Sequence, residues 1–212
     1  MYSELTKEGV RVPNGFAVTA HAYQQFLTEN NLHAEIKKTL TNLDVKNVTK
    51  LKAAGKKVRT LIMNGSFPED MKKKIIVDFD KLKKESKKKS GFSVAVRSSA
   101  TAEDLPGASF AGQQETYLNV RTKTQLIKAV HECFASLFTD RAISYREANG
   151  FDHMEVSLSV TVQTMVRSDK GASGVMFTLD TESGFEDVVL INAAYGLGEY
   201  VVKGRVTPDQ YY

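Results

Sequence analysis

The chain has 212 residues, a mass of 23.5 kDa, and 42% hydrophobic and 25% charged side chains, which excludes a wholly disordered or collagen-like polypeptide. No run approaches the about 18 apolar residues of a membrane-spanning helix. Met1 to Val10 carries Glu4 and Glu8 where a secretory leader would be apolar. The net charge of +4 is uneven: residues 71–90 hold nine lysines against Asp78, Asp80 and Glu85, a net of +6, and the remainder is −2.

In chain order, Met1 to Arg11 reads as helix, and Pro13-Asn14-Gly15 as a turn. Phe16-Ala17-Val18 is a short apolar run, and Thr19 is placed to cap a helix over Ala20 to Asn30 with Tyr23, Phe26 and Leu27 on its buried face. Residues 31–64 carry apolar side chains at helical spacing. Pro68-Glu69-Asp70 opens a further helix with the stripe Ile75, Ile76, Phe79 and Leu82. Residues 1–90 therefore read as a mostly helical part, and 91–212 as a mixed α+β part. Phe92 to Val96 and Tyr117 to Val120 read as strands, and Thr122 to Asn149 as an amphipathic helical region. Three more strands follow over Val156 to Val166, Gly174 to Leu179 and Asp187 to Asn192, with a hairpin turn at Gly184 between the last two.

The long stretch 97–116 between two strands is small, polar and without periodicity, a length that is uncommon unless functional. Small residues let backbone N–H groups approach an anion, and Arg97, at the end of a buried-looking strand, has a guanidinium suited to phosphate oxygens. The alternative is a solvent loop in which Arg97 pairs with Glu103 or Asp104. Gly196-Leu197-Gly198-Glu199 fits a tight strand-to-helix turn better than a phosphate loop. His21, His33, His131 and His153 do not have zinc-ligand spacing and read as surface or capping residues. Cys133, in an apolar helical stripe, reads as a small buried side chain. As a lone cysteine it suits a reducing, cytoplasmic setting. The lysines of 71–90 read as a solvated helix face, so neither a nucleic acid nor a membrane is expected as a partner.

VRSSATAEDLPGASFAGQQETYLNV at 96–120 closely resembles the nucleotide-binding domain of the phosphoenolpyruvate synthase family, and pyruvate phosphate dikinase and rifampicin phosphotransferase share a similar version. Residues 9–27, 134–153, 162–189 and 195–212 agree as well, and the resemblance is weakest over 31–90. It implies an α+β, ATP-grasp-type nucleotide-binding region that includes both parts of the chain. In that family ATP, with magnesium, phosphorylates a histidine on a separate domain, and the phosphoryl group passes to pyruvate on a further one. Arg97 matches a contact to the ATP phosphates, Gly112 and Thr116 match positions lining the triphosphate, and Gln163 matches a residue near the adenine. Met165 and Val166 would give backbone hydrogen bonds and apolar contact to the base. Ser109 and Gln113 lie in the same loop and rank lower.

The same resemblance implies a piece truncated at both ends, with Met1 to Leu5 continuing a helix that begins upstream. An ATP-contacting lysine is then expected before it, and the magnesium ligands after Tyr212. No catalytic residue and no metal ligand is expected within the chain. Without those cations the electrostatic stabilisation of phosphoryl transfer would be missing. The expectation is an ATP-binding fragment of a dikinase, inactive alone, whose partners are the absent phosphohistidine and pyruvate-binding domains, and whose exposed apolar surface favours self-association. The alternatives are the ATP domain of a rifampicin-type antibiotic phosphotransferase and a non-catalytic interaction module.

Overall fold

Helix α1 (Tyr2–Leu5) is short, and the chain then turns through Gly9 at φ 82°, a left-handed conformation that ends the helix expected to run to Arg11. The structure, a computed structural model, describes residues 2–86, 91–101 and 115–212. The chain forms two compact units, Met1–Met165 and Val166–Tyr212.

In the first unit, β1 (Gly15–Val18) leads into α2 (Ala20–Glu29). The Thr19 hydroxyl accepts from the Ala22 amide at 3.3 Å, a cap of the kind its sequence position predicts. Helices α3 (Leu32–Leu40), α4 (Val48–Asn64) and α5 (Glu69–Glu85) come next. Helix α5 buries Met71, Ile75, Phe79 and Leu82 and leaves its lysines outward; Ile76 is only half-buried. Strands β2 (Val94–Ala100) and β3 (Thr116–Val120) precede α6 (Lys123–Ser136), α7 (Asp140–Ala148) and β4 (Leu158–Thr164). The amphipathic region 122–149 is thus two helices. Thr122 and Gln125 form a capping box on α6, and Thr139, accepting from the Ala142 amide, starts α7.

The four strands form one antiparallel sheet in the order β1-β4-β2-β3. Helices α2, α5 and α6 lie against it. Val94, Val96, Val160 and Val162 project into a core built around Tyr23, Phe26, Phe67 and Phe134, where each fully buried side chain of this size contributes roughly 1.5–3 kcal/mol. The helical residues up to 85 and the sheet share this core, so position 90/91 is a change of sequence texture and lies inside one packed unit.

The second unit is a three-stranded antiparallel sheet of β5 (Ala172–Phe177), β6 (Leu190–Tyr195) and β7 (Asp209–Tyr211), in that order, with α8 (Gly198–Val202) against β5 and β6. Gly184, at φ 74°, lies in the tight turn between β5 and β6. No described helix is long and apolar enough to cross a membrane.

Candidate functional site

An antiparallel sheet covered by helices on one side leaves alternate residues on the other, and directly opposed residues share a face. Val160 and Val162 are fully buried, which turns Ser159, Thr161 and Gln163 outward. The registry then sets a row across all four strands. Thr116 of β3 is opposite Arg97 of β2, Arg97 is opposite Thr161 of β4, and Thr161 is opposite Ala17 of β1. One step along, Gln163 lies between Ala95 and Gly15. Gly15 has no room for a side chain: a Cβ there would lie 2.4 Å from the Val162 carbonyl oxygen.

Arg97 is mid-strand, not at the strand end where the sequence places it. Ser98, Ser99 and Ala100 continue the pairing with Val160, Ser159 and Leu158, because small residues suffice where the core beneath is already filled. Arg97 is exposed between buried neighbours, and among the described residues its side chain has no hydrogen-bond or ion-pair partner. Thr116 is exposed beside it. Gln163 is half-buried, and its Nε2 donates to the Pro13 carbonyl at 3.1 Å. A carbonyl can only accept, so the amide orientation is fixed. Met165 donates its N–H to the Ser93 carbonyl at 2.9 Å, so the backbone donor expected to meet a base is engaged within the sheet. Val166 is the first residue of the second unit and is exposed. Ser109, Gly112 and Gln113 lie outside the described residues. Three of the expected residues, Arg97, Thr116 and Gln163, are therefore brought onto one face. Thr161 shares that face although the sequence does not single it out. The alternation of Leu158, Val160 and Val162 indicates its outward direction, but its position opposite Arg97 depends on strand register, which a single sequence does not reveal.

The result is one guanidinium flanked by two hydroxyls and an oriented amide, which suits binding of phosphate-type oxygens. This face presents no nucleophile–base pair among the described residues. In the second unit, Gly196, at φ 95°, donates to the Gly171 carbonyl, and its own carbonyl accepts from the Ser173 hydroxyl at 2.7 Å. That is a strand-to-helix turn.

Two of the histidines differ from the surface or capping role that the sequence suggests. His131 sits between Phe26 and Phe67, with Nε2 2.6 Å from the Ile62 carbonyl, and burial lowers its pKa. His153 is buried; its Nδ1 accepts from Arg146 Nε at 2.9 Å, and its Nε2 is 3.0 Å from Glu147. Burial first, and then the Arg146 charge, lower the His153 pKa. Arg146 is itself fully buried over the Phe138 ring, and burial pushes it down to about 10. Cys133 is buried, and burial raises its thiol pKa, the opposite of what a reactive thiolate needs.

The whole chain, residues 1–212, matches the family model for the pyruvate phosphate dikinase AMP/ATP-binding domain. It is 58% identical over 211 residues to a phosphoenolpyruvate synthase of Aquifex aeolicus, 53% over 215 residues to one of Synechocystis, and 50% over 212 residues to one of Escherichia coli. All of this chain is covered in each case, against 24%, 26% and 26% of those relatives. It thus spans about a quarter of their length. With a match over its full length and on an α+β architecture, the chain belongs to the pyruvate phosphate dikinase AMP/ATP-binding domain family.

Proposed function

We propose that this chain is the ATP-holding part of a phosphoenolpyruvate synthase, and that the sheet face bearing Arg97, Thr116 and Gln163 is where it meets the nucleotide. In this reading the fold is of ATP-grasp type. The bound ATP phosphorylates a histidine of a separate domain, and that phosphoryl group goes on to pyruvate. The observation that carries the proposal is the registry that puts Arg97 beside Thr116, with Gln163 one step along the same face. Arg97 takes phosphate oxygens, Thr116 adds a hydroxyl donor, and Gln163 sits toward the base. The likeness to enzymes named phosphoenolpyruvate synthase favours this over an antibiotic phosphotransferase.

Magnesium is part of the family's ATP chemistry. Among the described residues no three carboxylate, histidine or cysteine side chains gather as a cation site. What the chain's own residues do is bind and orient the phosphate chain.

Isothermal calorimetry of the 212-residue chain with ATP tests the proposal. The unaltered chain is expected to bind, and Arg97→Ala to weaken binding at least about tenfold, as loss of a charge-assisted contact requires. Equal affinity in the two proteins would remove Arg97 from the site.

A further inference from the structure

We infer that Thr161 is a further phosphate-contacting residue, its hydroxyl completing with Arg97 and Thr116 a three-strand row that takes one phosphoryl group. The inference rests on the reading of this face as the ATP site, and it extends that site to a strand from which the phosphate contacts were not expected to come.

Thr161 is fixed outward by the buried Val160 and Val162 on either side of it. It is the direct cross-strand partner of Arg97, a separation of about 5 Å between Cβ atoms. Thr116 has the same relation to Arg97 from the other side, so the guanidinium stem rises between two hydroxyls. The outward neighbours of Thr161 on β4 are already engaged. Ser159 donates to the Ser99 carbonyl at 3.3 Å, and Gln163 donates to Pro13. Thr161 alone of the three makes no side-chain hydrogen bond among the described residues. Beyond it the row ends in Ala17, whose methyl group is too short to cover the hydroxyl.

The geometry also orders the contacts by depth. A threonine hydroxyl stays close to the sheet, whereas a guanidinium reaches several ångströms above it. A phosphoryl group touching both must rest against the sheet with Arg97 folded over it. Such a group is shielded from water, which strengthens each of its hydrogen bonds. The contact is to phosphate and not to base, so it should act alike on every ligand that carries the same phosphate chain.

A bland account is available: threonine is simply a good strand residue on a half-exposed position. Valine has the same shape and strand preference but no hydroxyl, so Thr161→Val separates the two accounts. ATP and inorganic triphosphate are titrated into the 212-residue chain and into Thr161→Val, Thr161→Ser and Arg97→Ala. Thr161→Val is expected to weaken both ligands by about tenfold, with an unchanged unliganded Tm, and Thr161→Ser to stay within about threefold of the unaltered chain. Thr161→Ala serves as a second deletion of the hydroxyl, with the same expected loss, if valine disturbs the fold. Full affinity in Thr161→Val and Thr161→Ala alongside a loss in Arg97→Ala overturns the role of Thr161 and leaves the ATP face standing. Unchanged binding in Arg97→Ala as well, or no binding of either ligand by the unaltered chain, overturns both.

Discussion

An arginine Nε can only donate, so the His153 Nδ1 that receives it must be unprotonated. The proton of the neutral ring is then on Nε2, directed at Glu147, and a second proton would put two donors face to face beside a buried cation. The lowered pKa values of His153 and His131 both arise from burial. A histidine whose folded pKa lies below its unfolded value, near 6.5, binds more protons when unfolded. Its contribution to stability is therefore fully present above pH 6.5 and is lost as the pH falls from there through the folded value. Thermal melts should show Tm declining as the pH drops from 7 to 5. His153→Asn, which can still accept from Arg146 and donate to Glu147, should flatten that decline; a slope equal to that of the unaltered chain would remove His153 as a cause. Of this cluster only the residue types are legible in the sequence. Arg146 lies in a helix whose sequence is mostly polar, and nothing in the spacing shows that a guanidinium is enclosed there. The outward face of β4, by contrast, is open to reading, because strict alternation of Leu158, Val160 and Val162 leaves one direction for Thr161 and Gln163.

Among the elements, α5 separates charge from stability most clearly. Three of its six lysines are in surface i,i+3 and i,i+4 pairs, Lys72 with Glu69, Lys74 with Asp78 and Lys81 with Glu85, each contributing about 0.3–0.5 kcal/mol. Its anchors are Ile75, Phe79 and Leu82, with Phe79 edge-on to Phe92 at 5.5 Å. Phe79→Ala should cost about 3–5 kcal/mol in denaturant unfolding. Replacing Lys73, Lys83 and Lys84 with glutamine should change stability by less than about 0.5 kcal/mol and leave ATP affinity as it was. A large loss of affinity in the triple variant would return the basic segment to the site. Helix α2, with its Thr19 cap and apolar stripe, and α5, with Pro68-Glu69-Asp70 at its start and a stripe of its own, are legible because these signals are local. The split of 122–149 is also encoded locally, in Thr139 followed by Asp140, but the continuous apolar stripe masks it. Strand β7, three residues without alternation, carries no local signal, and only pairing to β6 defines it.

At the scale of the molecule, the second unit exposes apolar side chains on one face of its sheet. Met176, Ile191 and Tyr211 line up across its three strands, and Tyr195, 90% exposed, is on the same face. Large exposed apolar patches associate. Light scattering should therefore give a mass above 23.5 kDa that rises with concentration and falls in Met176→Lys; a constant monomer mass would contradict this. The net charge is a poor guide, since the lysine excess belongs to the segment 71–90, while the sheet face proposed to take phosphate carries little formal charge. The texture change at residue 90 is equally misleading about packing. Helices and sheet are complementary halves of one hydrophobic core, and composition alone does not record which surfaces meet.

Arg97 and Thr161 stand on β2 and β4, the two strands with neighbours on both sides. Ladder hydrogen bonds hold the main chain beneath them from left and right, so that floor has almost no freedom left to lose when an anion arrives. The conformational entropy of association then falls on the guanidinium rotamers and on the ligand itself. On the proposed reading of this face, the floor of the nucleotide site is assembled when the core folds, before any nucleotide is present.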